Sequence, residues 1–308
     1  MNSKTVAYII KRLLIAILTI FIVITITFFV MMAIPGGPFT SEKAASAAVE
    51  RAMKEKYGLD KSIWEQYLSY LTGVLHFDFG PSIKQKGRTV LDIIWDGFKT
   101  SAYIGSIAAV IAIIIGITLG TIAAINRNKF VDKLIMVLTT AANALPSFII
   151  GSFLMVVLCV KLGWFPANGS SPGGLVLPII TLSLYPMAYI TRLTRSSMLD
   201  VLGQDYIRTA RAKGVSKRKI TFVHALKNGL IPIITYVGPM FASILTGSMV
   251  VEQIFAVGGL GRYFVNSITG RDYPLIMGTT IFLASLIVIA TLISDILYKI
   301  VDPRIELE

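Results

Sequence analysis

The sequence predicts an all-α integral membrane protein with six spans and a small external helical subdomain after the first. Composition is the first reason: of 308 residues, 55% are hydrophobic and 15% charged, against about 25% charged in a typical soluble domain. Arrangement is the second, because the apolar residues gather in long blocks and raise the mean hydropathy to +0.73, as membrane spans require. Charge placement is the third. Lys and Arg concentrate in some of the segments between blocks, the asymmetry that marks cytoplasmic loops.

The first block, Leu13 to Ile34, contains no charge. At 1.5 Å per residue it reaches about 33 Å, enough for a hydrocarbon core of about 30 Å. Lys4, Lys11 and Arg12 precede it and "MMAIPGGPF" follows. That ending lacks the small-residue cleavage site of a signal peptide, so this reads as an uncleaved first span with the N-terminus inside. Further spans are expected at Ser101–Ile125, Leu134–Leu162, Leu175–Ile190, Leu230–Val251 and Leu275–Ile300. Pro178 and Pro186 interrupt the fourth, which is expected to start or end at a proline.

Six spans divide the chain into residues 1–34, an external segment 35–100, a five-helix core 101–300 with an inner loop at 196–229, and a tail at 301–308. Both termini then face the cytoplasm. "NRNKFVDK" and the stretch from Arg192 to Lys227 also fall inside. The second carries Arg192, Arg195, Arg208, Arg211, Lys213, Lys217, Arg218, Lys219 and Lys227 against Asp200 and Asp205. The net charge of +12 is accounted for by such loops and by anionic lipid, so no nucleic-acid partner is expected. Outside, Ile63, Tyr67, Leu68, Leu71, Val74 and Leu75 share one helical face. "EKAASAAVERAMKEKYG" also reads as a helix, with Gly58 as its C-cap. The two form either a small subdomain or an amphipathic hairpin lying on lipid.

Nothing in the chain supports catalysis. Its histidines are His76 and His224, and Cys159 is alone in an apolar run. There is no H-E-x-x-H, no cysteine cluster and no G-x-x-x-x-G-K-[ST], so neither a metal site nor a nucleotide cradle is expected. "GGLG", Gly258 to Gly261, reads as a tight external turn. Asp295 near the inner end of the last span is either a local anchor or a functional acid. The spans offer almost no other acids or bases, which weighs against the ion-coupled site of a stand-alone secondary transporter.

The basic stretch "RTARAKGVSKRKITFVHALKNGLIP" carries the most information. Tyr206 to Lys213 has no helix breaker. Gly214 permits a left-handed turn, and Ser216 can cap a second helix whose Ile220, Val223, Leu226 and Leu230 make one apolar face. A helix, a glycine turn and a helix between two spans suit either docking into a groove of a soluble partner or an anionic lipid surface. The fifth span, "TYVGPMFASILTGSMVVE", combines a Gly238-Pro239 kink site with Ser243, Gly247 and Ser248. Such small residues either pack against another helix or line a path.

The basic stretch resembles the "EAA" loop of membrane subunits of ATP-binding-cassette importers. Ala210 stands at an alanine position of that loop and Gly214 at its glycine. Arg208 replaces the usual Glu, and "VHALKN" replaces "I-x-L-P"; both changes resemble the peptide-carrying branch, with its "DYIRTARAKG…HALKNGLIP". "KRLL", "PGGPF", "YGLDKSIWEQYLSYL…FDFGPS", "ALPSF", "YITRLTRSSMLDVL", "VVEQIFAVGGLGRYFVNSITGRDYPLIMG" and "DILYKIVDPRI" extend the likeness in order along nearly the whole chain.

The resemblance implies a permease of the type I importer kind in the bacterial cytoplasmic membrane. It would carry oligopeptides or, as alternatives, dipeptides, nickel or another small solute. It also implies a second, different permease subunit, two cytoplasmic ATPase subunits that hold ATP and Mg, and an extracytoplasmic peptide-binding protein, with no cofactor on this chain. The docking loop would be Tyr206, Ile207, Arg208, Thr209, Ala210, Arg211, Ala212, Lys213, Gly214, Val215 and Ser216. Pro239, Ser243, Gly247 and Ser248 would line the path. Gln66, Asp78, Gly80, Gly258, Gly259 and Arg262 would meet the binding protein.

Overall fold

The computed structural model describes residues 3–34, 60–246 and 248–301. The helix expected to end at Gly58, the candidate Gly247, the tail after 301 and the side chain of Asp295 lie outside the described residues. Regular structure among the described residues is helical, apart from one isolated antiparallel bridge between Pro81 and Thr89. In chain order the helices are α1 (Ser3–Ala33), α2 (Ile63–Leu75), α3 (Val90–Ile125), α4 (Phe130–Ala144) and α5 (Ser147–Lys161). There follow α6 (Val176–Leu202), α7 (Asp205–Ala212), α8 (residues 217–229), α9 (Ile231–Leu245), α10 (Met249–Ile254), α11 (Leu260–Gly270) and α12 (Tyr273–Val301). Five stretches are long and apolar enough to cross a membrane: Ile10–Ala33, Val90–Ile125, Val176–Leu202, Ile231–Ile254 and Tyr273–Ile293. Inner and outer below follow the charge asymmetry of the loops.

The centre of the molecule is the seam between α3 and α6. Small residues on α3, among them Ala109, Ala112, Gly116, Gly120 and Ala123, are buried at three- and four-residue spacing. A Cβ added at Gly116 would stand 2.8 Å from Ile190 Cβ. At Gly120 it would stand 2.6 Å from the Thr191 carbonyl oxygen and 2.6 Å from Thr194 Cβ. The two helices are therefore in backbone contact, the close approach that small residues permit where no hydrophobic effect drives association. α3 also begins earlier than the predicted second span. Thr89 caps it at Val90, with its side chain accepting from Asp92 N and Asp92 reaching back to the Thr89 amide, a reciprocal capping box.

The third predicted span is two helices rather than one. α4 and α5 are bent by 102° about Leu145 and Pro146. Leu145 is extended, at φ −87° and ψ 127°. Pro146 disfavours the helical conformation in the residue before it and supplies no N–H. α4, at 15 residues, reaches about 22 Å and cannot cross alone, but the pair joins opposite ends of α6. Asp132 at the start of α4 accepts from Arg195 at 2.6 and 2.8 Å. Met155 and Cys159 of α5 pack beside Leu177. Leu177 and Arg195 are about 27 Å apart along a helix, so the bent pair completes the sixth crossing.

The fourth span is longer than the sequence suggests. Pro178 falls in the first turn, where its missing donor has no cost. Pro186 sits inside and does not end the helix, which runs 27 residues to Leu202. Beside Pro186 the Asn143 amide, oriented to satisfy its neighbours, donates to the Tyr185 carbonyl at 3.2 Å and accepts from Arg192. Arg192 and Arg195 consequently belong to the span and not to the loop. On the outer side the apolar face of α2 is also reassigned. Tyr67 is buried with Tyr70 and Leu71 against Phe28, Met31 and Tyr273, and the Tyr67 hydroxyl is 2.9 Å from Thr25 Oγ1. Ile63, Leu68 and Leu75 stay exposed. The aromatic residues of α1, Phe28 and Phe29, stack on Tyr67 and Tyr70 and so select the face that turns inward.

Gly120→Val should lower the melting temperature of the detergent-purified protein, because overpacking costs about 1–3 kcal/mol and the obstacle includes a backbone oxygen. Gly203→Ala is the control: its added carbon meets nothing closer than 3.4 Å and should leave the melt unchanged. Equal melts for the two variants would mean that the seam relaxes.

Candidate functional site

The basic loop folds as a helix, a glycine turn and a second helix. Asp205 lies in the first turn of α7, where the helix dipole favours an anion. Gly214 takes φ 77°, with Gly214 N donating to Arg211 O at 3.0 Å and Val215 N to Ala210 O at 3.1 Å. This is the bond pattern that closes a helix on a left-handed residue. Ser216 then caps α8 by accepting from Lys219 N at 3.4 Å.

Ile207 is fully buried among Ala124, Met198, Ile220 and Ala225, with Ala210 and Val215 packed at the margin. It is the anchor of the loop and not a contact residue. Asn228 Nδ2 donates to the Tyr206 hydroxyl at 2.8 Å and ties α7 to α8. What the loop shows to its surroundings is Tyr206, Arg208, Thr209, Arg211, Ala212, Lys213, Gly214 and Ser216, all exposed. The buried face of α8 is Ile220, Thr221, Ala225 and Gly229, whereas Val223 is exposed. Residues 220–225 form a π turn, whose wider spacing shifts the inward face away from a simple three-and-four pattern.

On the outer side the predicted residues divide. Gln66 on α2 is half-buried and its Nε2 donates to Lys61 O at 2.8 Å. Asp78 is exposed, and its carboxylate accepts from Gly80 N at 2.9 Å. Gly80, at φ 78°, accepts from Val90 N at 3.0 Å and so leads the turn into α3. Gly259 is buried beneath the Glu252 carboxylate, which removes it from any contact surface. Gly258 is half-buried, and Arg262 uses Nη1 to donate to Ala256 O at 2.7 Å.

Glu252 is the residue that the sequence reading overlooks. It is 0% exposed, so the spans do hold a buried acid. Ser101 Oγ donates to its Oε1 at 2.7 Å, and Arg262 N donates to its Oε2 at 3.0 Å. Ser101 Oγ accepts in turn from Leu260 N at 2.8 Å. The carboxylate thus sits at the N-terminus of α11, where amides and the helix dipole stabilise an anion, and it pins α3, α10 and α11 together. A second acid does the same nearby. Asp272, also buried, accepts from Ser82 Oγ, from Ile83 N and Lys84 N at 3.2 Å each, and from Leu275 N at 3.4 Å. The available signals were an acid closing an apolar run in "VVEQ", and glycine-rich or Gly-Pro turns a few residues away.

In the fifth span Pro239 and Ser243 are exposed one turn apart on α9. Ser248 is different: its hydroxyl accepts from Val251 N at 3.2 Å as the cap of α10, so it does not project toward a path. Next to Pro239 and Ser243, Tyr236 stacks on Tyr189 of α6 at 4.3 Å between ring centroids. No group of three or more His, Cys, Asp or Glu that could hold a metal occurs among the described residues.

Residues 116–307 match the family described as binding-protein-dependent transport system inner membrane component, and residues 5–104 match its N-terminal counterpart. The chain belongs to this family. The permease is 48% identical over 301 residues to the dipeptide transport system permease protein DppB of Bacillus subtilis, covering 97% of this chain and 98% of that protein. It is 44% identical over 301 residues to the oligopeptide transport system permease protein OppB of Salmonella typhimurium, with the same coverage. Its fold is similar to that of a chain of the MetNI methionine ABC transporter solved in inward-facing conformations. There the TM-score is 0.55 at 16% identity, over 69% of the permease and 97% of that chain. Membership makes the chain a membrane component of a transport system that works with a binding protein, and not its catalytic subunit.

Glu252→Ala should lower the melting temperature of the purified permease and speed proteolytic cleavage at residues 256–262. It leaves the Arg262 amide and the Ser101 hydroxyl without their acceptor, at about 1–3 kcal/mol each. Ser101→Ala should also lower the melting temperature: Glu252 keeps its amide donors, but the Leu260 amide loses its acceptor. A wild-type melt for Glu252→Ala would show that the clasp is not structural.

Proposed function

We propose that the chain is one of two different permease subunits of an ATP-driven peptide importer. Its exposed α7–Gly214 knob docks into cytoplasmic ATPase subunits that bind ATP and Mg. Both termini face the cytoplasm, and the outer turns around Asp78 and Gly258 meet a peptide-binding protein. The observation that carries this reading is the construction of the knob. One buried side chain, Ile207, and one hydrogen bond, Asn228 to Tyr206, hold a short polar helix clear of the bundle. A two-residue turn would connect the spans equally well, so the helix serves contact. When the ATPase pair closes on ATP, paired knobs move together and the two permeases rock between inward- and outward-facing states. The energy comes from the different affinity of ATP for those states.

The substrate reading is peptide, with oligopeptides as the class favoured by the "GGPF" form and the long outer segment. The relatives named for dipeptide and for oligopeptide transport both support peptide and divide on length. An exposed, uncharged stretch such as Pro239 and Ser243 suits cargo of varied side chains, since no fixed charge selects among them.

The docking role is tested by substitution at Gly214. An added Cβ meets nothing within 4 Å there, so Gly214→Ala carries only the cost of a left-handed backbone, about 1–2 kcal/mol. Gly214→Trp adds a ring on the exposed side. Recovery of the ATPase subunits with tagged permease should fall slightly for Ala and at least tenfold for Trp, with membrane insertion unchanged. Full recovery with Trp would refute docking at this turn. The path is tested separately with Ser243→Trp, which should stop uptake of a labelled pentapeptide while the ATPase subunits still co-purify. Dipeptide competition against the wild type then ranks the two lengths.

A further inference from the structure

A cavity of about 750 Å³ opens at the inner end of the bundle, away from the path and from the outer turns. Its apolar wall includes Ile125 and Leu202, the final residues of α3 and α6, together with Val215 of the basic loop. Arg127, Arg211 and Lys217 complete the lining, and no acidic residue is part of it. None of these three cations forms an ion pair with a described residue. Arg127 acts on Asp132 only through its charge, and both carboxylate oxygens of Asp132 are held by Arg195.

Position and lining together select the ligand chemistry. Two of the helices long and apolar enough to cross a membrane, α3 and α6, end at this cavity, on the side that the loop charges mark as inner. One side of it is apolar and the other presents three cations that no described acid pairs with, which suits a molecule with an anionic head and an apolar tail. Guanidinium groups form strong, directional hydrogen bonds to phosphate oxygens. A soluble anion would have no use for Ile125 and Leu202, and a zwitterionic lipid would bring its own cation against Arg127 and Lys217. Basic pockets between span ends are also where anionic head groups are held in other membrane proteins. We infer that this cavity binds the phosphate head group of an anionic phospholipid from the adjoining leaflet, with the first carbons of an acyl chain against Ile125 and Leu202. A lipid held there bridges the ends of α3 and α6 to the start of α8 and steadies the base of the basic loop.

The test uses the assembled transporter in membranes of phosphatidylglycerol or of phosphatidylcholine. Site-resolved amine labelling of Lys217 should be at least fivefold slower in phosphatidylglycerol. In detergent, native mass spectrometry should show phosphatidylglycerol bound more tightly than phosphatidylcholine. Arg127→Gln with Lys217→Gln should weaken the former about thirtyfold, the effect of two cations at ~1 kcal/mol each, and leave the latter unchanged. Equal protection of Lys217 in both lipids would mean that a partner subunit covers the rim, and would overturn the inference. So would equal protection by millimolar inorganic phosphate in phosphatidylcholine, which would make the cavity a free-anion site. Should the double variant not assemble, the wild-type labelling ratio decides alone.

Discussion

Backbone contact between α3 and α6 is the constraint on which the rest of the molecule depends. Helices surrounded by lipid gain little from burying apolar side chains, because the alternative solvent is equally apolar. Close approach gives them dispersion contacts instead, and Gly116 and Gly120 make that approach possible. Everything functional is then referred to these two helices. The N-terminal half of α3 supplies Ser101 to the outer clasp, and its inner end supplies Ala124 to the pocket that receives Ile207. α6 carries Arg195, which holds the start of α4, and Met198, which meets the loop anchor.

The two ends of the molecule are built on different chemistry. The outer end is held by buried acids that accept hydrogen bonds from amides and hydroxyls. Such bonds are directional and buried from salt, and they define the shape of a surface. At the inner end the Arg195–Asp132 pair holds the start of α4, while the basic loop itself is rooted by Ile207 and the Asn228–Tyr206 hydrogen bond and keeps most of its cations exposed. A loop of that kind is stiff at its root and open at its face, which is what transmission of force from a soluble partner requires. The contrast between the two ends follows from the residues and does not depend on any assignment of cargo.

Much of this was legible in the sequence, and the failures have physical causes. Long uncharged runs located five of the crossings, because hydrophobic length is a one-dimensional property. The Gly214 turn and the Ser216 cap were readable because each rests on a local preference. The bend at Leu145 and Pro146 was misjudged because proline is tolerated in some membrane helices and breaks others. Pro186 lies inside a continuous helix, whereas Pro146 stands at a helix start as its N-cap. The apolar pattern points Val223 inward because a π turn leaves no mark on it. Glu252 went unnoticed because its partners are mostly main-chain amides, and an amide has no letter in a sequence.

The burial of Glu252 over Gly259 also ties two positions of the outer corner to each other. Any side chain at position 259 would occupy the space of the carboxylate. A shorter residue at 252 would leave the amide of Arg262 and the hydroxyl of Ser101 facing a void. Positions 252 and 259 therefore share one volume: what the glycine leaves empty is what the carboxylate fills, so a change at either acts through the other.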